Sequence, residues 1–283
     1  VPEGPECTRV ARQLNRHFQG KRLVNVNLIS GRYTKTKPVG FENFKPTDVA
    51  MVDVKGKFIF FHCADGAIFN TLGMTGNWKL VPNKYARVGF YFDDDSSTYY
   101  CDQRNFGTLK FVFQKGWQID LSQKLNSIGP DMLNNPCTLQ QFTDIFKKAP
   151  QHWSLAKFLL EQKHISGVGN IYKSESLFLA AINPKRQLRD ISKADIEKLY
   201  HAVINVLSSA YKEGGSTIRN YSDLENNHGK YARFASNPKE MLEARWDNRV
   251  MIYGRTTDMY GNPVKKLKLD DGRTTYWSPT IQS

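Results

Sequence analysis

The chain begins Val1-Pro2-Glu3-Gly4-Pro5-Glu6, which places a proline and two carboxylates within a few residues of one another. A proline at a chain terminus carries a secondary amine. An α-amine titrates near ~8, far below a lysine, so part of it is unprotonated and nucleophilic at neutral pH. Such an amine can attack an electrophilic carbon and form an iminium, and a neighbouring carboxylate can move the protons. Pro2 has that amine only in a chain without Val1, because a proline nitrogen inside a peptide bond cannot attack. A start position read as valine is the simplest account; a Val1 amine acting in its place is the alternative. The structural reading of the same residues is the start of a helix, with the prolines fixing the backbone and Glu3 and Glu6 in or just before its first turn.

A second group with chemical potential is Gly167-Val168-Gly169-Asn170. Two glycines permit a tight turn, and backbone amides at the following helix start, with the Asn170 side chain, suit a phosphate. An ordinary helix-to-helix connection explains the same glycines. Cys7, Cys63, Cys101 and Cys137 are far apart and form no CxxC pair, so they give no zinc framework and suit a reducing compartment.

The elements that must position these groups fall into two halves. Cys7, Val10, Ala11, Leu14 and Phe18 repeat at helical spacing, and Gly20 is a stop. From Leu23 to about Phe113 the pattern changes to short β-rich runs, 24–29, 49–61, 67–72, 87–92, 98–100 and 109–113, separated by turns such as Asp65-Gly66. This half reads as a β-sandwich or barrel. Helical patterns follow, broken at Gly129-Pro130 and Asn135-Pro136. Thr138 and Gln141 have capping-box spacing for a helix through Lys148. Further helices are expected over 154–163, from Asn170 to about Ala181 and over 193–212, and short strands over 251–253 and 265–269. The expectation is an α+β chain of two domains, 1–135 and 136–283, each long enough to bury a core.

The chain's 283 residues carry a formal charge of +13, which points to a polyanionic partner, since neutralising phosphates releases counterions. An RNA-binding protein would share that charge. No run of ~18 apolar residues is present, so no span of a membrane is expected, and the first residues show no signal-peptide pattern.

These pieces together resemble the formamidopyrimidine-DNA glycosylase/endonuclease VIII family. Pro2-Glu3 is similar to that family's opening, and the stretch from Gly167 to Phe178 resembles its helix-two-turn-helix element. Lys57, in Lys55-Gly56-Lys57-Phe58, resembles the family's β-sandwich lysine that binds phosphates beside the lesion. Leu72-Gly73-Met74-Thr75-Gly76 is similar to the loop whose apolar residue enters the duplex, and Asp102-Gln103-Arg104-Asn105-Phe106-Gly107 to the loop whose arginine faces the orphaned base and whose phenylalanine wedges beside it. An apolar wedge and a planar cation are suitable fillers for a gap in a base stack. Gly272 to Gln282 resembles the end of the family's zinc finger (about 246–283), but Val264, Leu267, Ser278 and Ile281 stand where its cysteines would fall. The resemblance therefore implies a zincless finger, as in the animal and giant-virus endonuclease VIII-like branch, with no cofactor and with Arg273 as a phosphate contact.

What the resemblance implies about activity is a base-excision-repair DNA glycosylase and abasic-site lyase. Pro2 would be the nucleophile, Glu3 the acid for the ring oxygen, and Glu6 and Lys57 supporting residues; Lys57, Gly167, Gly169, Asn170 and Arg273 would hold DNA, and Met74, Arg104 and Phe106 would fill the void. β-Elimination and then δ-elimination would follow. The expected partner is damaged double-stranded DNA, with single-stranded or bubble DNA left open, acted on by a monomer. Oxidised pyrimidines are the preferred substrates; the alternatives are an oxidised-purine (8-oxoguanine or formamidopyrimidine) glycosylase of the same family, for which the loop from Gly214 to Tyr221 speaks, and a non-catalytic reader of damaged DNA. An intracellular location is expected, with nucleus, cytoplasm and viral factory not separated. Thr71 stands where many bacterial relatives have a histidine before the Leu-Gly-Met motif, so the resemblance does not carry that phosphate contact over to this chain.

Overall fold

The computed structural model describes residues 2–215, 222–227 and 250–283, and the chain divides into two compact units. The first comprises 1–127 with the described part of 217–229, and the second 128–216 with the described part of 230–283. The expected loop from Gly214 to Tyr221 lies mostly outside the described residues.

In the first unit α1 (Gly4–Phe18) buries the stripe Cys7, Val10, Ala11, Leu14 and Phe18, and the chain leaves it through Gly20 at φ +81°. Eight strands follow: β1 (Arg22–Leu28), β2 (Thr47–Lys55), β3 (Phe58–Cys63), β4 (Ala67–Thr71), β5 (Gly76–Lys79), β6 (Ala86–Phe92), β7 (Ser97–Asp102) and β8 (Thr108–Val112). A single helical turn, α2 (Arg32–Lys35), leaves β1, and α3 (Trp117–Asn126) follows β8. The strand order is β5-β7-β6-β1-β2-β3-β4-β8. β1 and β2 share only the pairs Arg22 with Asp48 and Leu23 with Thr47, so the sheet folds over at that corner into two four-stranded layers. The layers meet through aromatic rings: Phe61 of β3 lies 5.4 Å from Trp78 of β5 and 6.0 Å from Phe90 of β6, centroid to centroid. This is the expected β-sandwich, with α1 packed on β2 and β3.

Two strand expectations change. The apolar run over 49–61 is two strands, because Gly56 at φ +61° turns the chain back and leaves Lys57 in the hairpin turn. β5 has no counterpart in the sequence reading; Gly76-Asn77-Trp78-Lys79 is too short to show alternation, yet Trp78 is fully buried and its indole N–H donates to Asn70 at 2.9 Å.

The second unit contains α4 (Leu139–Lys148), α5 (Leu155–Leu160), α6 (Asn170–Leu179) and α7 (Lys193–Lys212), with a hairpin of β9 (Lys265–Lys268) and β10 (Thr274–Trp277). Thr138 and Gln141 form the expected capping box of α4. Phe142 and Phe146 meet Phe158 of α5 edge-on in the core. α5 ends at Leu160, short of the expected 163, because the Gln162 side chain takes over: its amide donates to the carbonyls of Leu160 and Val168 and accepts the Gly167 N–H. α7 has the expected bounds. Residues 251–253 are not a strand, since their amides turn to the Glu175 carboxylate. Among the described residues no helix is long and apolar enough to cross a membrane.

Candidate functional site

Glu3 is the N-cap of α1, and Pro2 immediately precedes it. Pro2, Glu3 and Glu6 are all buried, Glu6 completely. The Glu3 backbone N–H donates to Glu6 Oε2 at 2.7 Å, one arm of a capping box, and the Cys7 N–H donates to the Glu3 carbonyl at 2.9 Å. The positive end of the helix dipole lies at these carboxylates, where it favours negative charge. The expected nucleophile and acid therefore sit side by side at a helix N-terminus. Lys57, half-buried in the β2–β3 turn, belongs to the same unit.

The three void-filling candidates come together on two loops of that unit. Met74 lies in the turn from β4 to β5, and Arg104 and Phe106 in the turn from β7 to β8. The Arg104 guanidinium stands 4.8 Å from the Phe106 ring centroid, and Phe106 is 55% exposed. A phenyl ring presented this openly is a cost in water, and the cation over its face reduces that cost. Asp102, fully buried, ties the loops together: Oδ1 accepts the Thr75 hydroxyl at 2.5 Å and the Arg104 N–H at 3.2 Å, and Oδ2 accepts the Gly107 N–H at 2.8 Å. The backbones touch as well, and a Cβ on Gly73 would lie 2.6 Å from the Gly107 nitrogen.

In the second unit Gly167 occupies φ +94° and Gly169 is the N-cap of α6. The Gly167 N–H is taken by Gln162 Oε1 at 3.2 Å, so its part in the turn is conformational. Asn170 donates one amide hydrogen to the Thr274 carbonyl at 3.0 Å, which leaves the second for a ligand. Arg273 is exposed in the β9–β10 turn beside Thr274, and its backbone N–H donates to Asp271 Oδ1 at 2.9 Å. The structure thus joins the Asn170 turn to the Arg273 turn.

Several residues escaped the sequence reading. Glu175 of α6 is fully buried and accepts the N–H groups of Met251, Ile252 and Tyr253 at 2.5, 3.0 and 2.8 Å. Lys173 of the same helix pairs with Asp271. The signal was available: Lys173-Ser174-Glu175-Ser176 is a run of four polar residues, all buried, between apolar neighbours. Asp223 had no local signal. It accepts Arg9 Nη2 and Nε at 2.6 and 2.8 Å and Gln13 Nε2 at 2.9 Å, both from α1. Burial pushes its carboxyl up, but the Asn227 backbone N–H, Arg9 and Gln13 together hold it below the usual carboxylate range.

A β-sandwich carrying Pro2-Glu3 and a helix-two-turn-helix unit carrying Asn170 define the class of helix-two-turn-helix DNA glycosylases. The comparisons agree: the formamidopyrimidine-DNA glycosylase N-terminal domain matches residues 1–109, and the formamidopyrimidine-DNA glycosylase H2TH domain matches 128–222. Formamidopyrimidine-DNA glycosylase of Bacillus cereus is 30% identical over 100% of this chain and 99% of its own, and that of Listeria monocytogenes 28% identical over 100% of both. The crystal structure of the MutM (Fpg) protein from Thermus thermophilus superposes with a TM-score of 0.80 at 27% identity, covering 99% of this chain and 98% of that one. A Lactococcus lactis Fpg mutant in complex with Fapy-dG containing DNA also has a TM-score of 0.80, at 26% identity over 100% of both chains. The chain belongs to the formamidopyrimidine-DNA glycosylase family, whose members are DNA glycosylases with abasic-site lyase activity.

Bacterial members of the family carry a zinc finger. The residues at the finger positions of this chain do not fit that metal. Val264, Leu267, Ser278 and Ile281 offer no thiolate or imidazole, and residues 246–283 contain neither cysteine nor histidine. Among the described residues no group of three or more His, Cys, Asp or Glu side chains could hold a metal ion.

Proposed function

We propose that this protein excises oxidised bases and cleaves the resulting abasic site through a Schiff base at Pro2, in a chain that begins at that residue. The observation that carries the reading is the placement of Pro2 directly before the N-cap of α1, against the buried Glu3 and Glu6. The positive end of α1 disfavours a protonated amine there, which leaves the nitrogen lone pair available. That lone pair attacks C1′ of the flipped nucleotide as the bond to the base breaks, and the base leaves with a proton. Glu3 protonates the sugar ring oxygen, the ring opens and an iminium forms between C1′ and the proline nitrogen. The iminium acidifies the C2′ proton; its removal expels the 3′ phosphate, and a further elimination expels the 5′ phosphate. Lys57, Asn170 and Arg273 hold phosphates, Met74, Arg104 and Phe106 fill the gap, and no metal takes part. Gly167 and Gly169 shape the turn that presents Asn170.

The preferred substrates are oxidised pyrimidines, supported by the metal-free ending that resembles the endonuclease VIII-like branch. Oxidised purines are the second reading, favoured by the names of the relatives and by the Fapy-dG containing DNA bound to the Lactococcus lactis protein. Borohydride trapping on an abasic-site duplex tests the chemistry: a protein starting at Pro2 gives a covalent adduct, and absence of that adduct sinks the lyase mechanism. Duplexes with thymine glycol, dihydrouracil and 8-oxoguanine separate the substrate readings, and predominant release of 8-oxoguanine overturns the pyrimidine preference.

A further inference from the structure

We propose that Lys173 and Asp271 are a positioning pair that sets the Arg273 turn in its phosphate-binding form before DNA arrives. The inference rests on Arg273 being a phosphate contact, as proposed above. Asn170 and Lys173 are three apart on α6 and so share one face of the helix. Both reach the same hairpin turn. Asn170 holds the Thr274 carbonyl at one end, and Lys173 pairs with Asp271 at the other, which leaves only Gly272 and Arg273 between the two fixed points. Gly272 at φ +67° makes the bend, and the Asp271 carboxylate also accepts the Arg273 N–H at 2.9 Å. On the outer side Asp270 accepts the backbone N–H and the hydroxyl of Ser154, the N-cap of α5. The turn is fastened to two helices at successive residues, while the Arg273 side chain stays exposed.

The side chains of Lys173 and Asp271 are 0% and 1% exposed. Burying both charges carries a desolvation cost that mutual attraction often fails to repay, so apolar residues of similar volume commonly give equal or greater stability. What an apolar pair cannot supply is the directional bond from Asp271 to the Arg273 backbone. Stability alone does not account for the pair; placement of the arginine does. In relatives whose finger is tied by zinc the metal fixes the corresponding element, and here a helix side chain takes on that task.

The test is a double-mutant cycle on the full chain beginning at Pro2. Wild type, Arg273→Gln, the apolar swap Lys173→Met/Asp271→Leu and the triple variant are compared for binding to a duplex containing a tetrahydrofuran abasic analogue, across a salt series, with thermal melting alongside. R273Q is expected to weaken wild-type binding roughly tenfold at about 0.1 M salt and to lower the slope of log K against log salt by about 1. The swap is expected to melt at the wild-type temperature or above, yet to show the same loss of affinity and slope, with no further loss on adding R273Q. Wild-type affinity and slope in the swap, or an undiminished effect of R273Q within it, overturns the proposal. No effect of R273Q in the wild type removes the phosphate assignment itself, and the proposal with it. Should the swap fail to fold, Asp271→Asn takes its place in the cycle with the same expected and overturning results for affinity and slope, while its melting temperature is expected to fall because Lys173 loses its buried carboxylate partner.

Discussion

The Thr75 hydroxyl donates to the Asp102 carboxylate at 2.5 Å, across the gap between the loop carrying Met74 and the loop carrying Arg104 and Phe106. Thr75 also accepts the Arg104 N–H at 2.9 Å, so the carboxylate, the hydroxyl and the arginine backbone form a closed set. Asp102 uses both oxygens, and Arg87 Nε holds its carbonyl at 2.7 Å. The loops are therefore one unit, and Met74 on one is held in register with Arg104 and Phe106 on the other.

Asp102→Asn is expected to break that register. An amide offers one acceptor oxygen where the carboxylate has two, so its NH2 must face either the Gly107 N–H or the donors from Thr75 and Arg104. A buried donor left opposite a donor costs about 1–3 kcal/mol. Thermal melting should fall accordingly, and binding to an abasic-analogue duplex should fall more than binding to undamaged duplex. Equal losses on both duplexes would show that the knot supports the fold and not the void-filling residues.

Gly73→Ala probes the same contact through the backbone. Gly73 has φ +57°, and an added Cβ would stand 2.6 to 2.9 Å from backbone atoms of Phe106 and Gly107. Neither backbone can yield without moving the wedge loop. The substitution is expected to cost about 1–3 kcal/mol, read by urea unfolding, and to slow excision with a larger effect on turnover than on undamaged-DNA binding. A neutral result on both would mean that the loops part freely.

The legible parts of the molecule were those whose signals are local. α1 and α7 show their apolar stripes every three to four residues, and the Thr138 and Gln141 cap is a four-residue pattern. The β2–β3 hairpin was obscured because its apolar run continues almost to the turn, with only Gly56 to mark the break. Within the candidate site, the placement of Arg104 and Phe106 in one loop was legible because both belong to one short motif. The site was not legible where polar partners are distant: Asp223 lies 214 positions from Arg9, and Asp271 lies 98 from Lys173. No sequence window contains both halves of such a pair. The buried polar run Lys173 to Ser176 was visible, but what those side chains hold was not.

Glu175 is expected to hold the segment before the finger hairpin. Its carboxylate receives three consecutive backbone N–H groups, charge-assisted bonds that are worth more than neutral ones. Glu175→Gln keeps the shape and turns an NH2 toward one or more of those donors, a cost of about 1–3 kcal/mol. The measurement is thermal melting with Trp277 fluorescence as a local probe. A zinc chelator such as 1,10-phenanthroline should leave melting temperature and excision unchanged in the wild type. A chelator-induced loss reversed by zinc would refute the metal-free hairpin.

Asp223 should make the attachment of residues 222–227 to α1 depend on acid. Its carboxyl lies below the usual 3.8 in the folded protein, because burial, which pushes it up, is outweighed by the bonds from Asn227, Arg9 and Gln13. A group whose folded value is depressed contributes stability above its unfolded value, and that contribution disappears as pH falls through the folded value. Asp223→Asn is therefore expected to lower stability on the order of 2 kcal/mol at neutral pH, measured by urea unfolding. The gap from wild type should stay constant down to about pH 5 and close below about pH 4, where the unfolded carboxyl begins to bind its proton. Lys79 works on the same segment from β5, donating to the Asp223 carbonyl at 2.6 Å and to Asn226 Oδ1 at 2.9 Å. Burial lowers its ammonium from the usual range despite the nearby Asp223, so it opposes stability at neutral pH and cannot produce the acid-side loss. A gap between wild type and Asp223→Asn that persists unchanged at pH 3 would assign the acid sensitivity to another carboxylate.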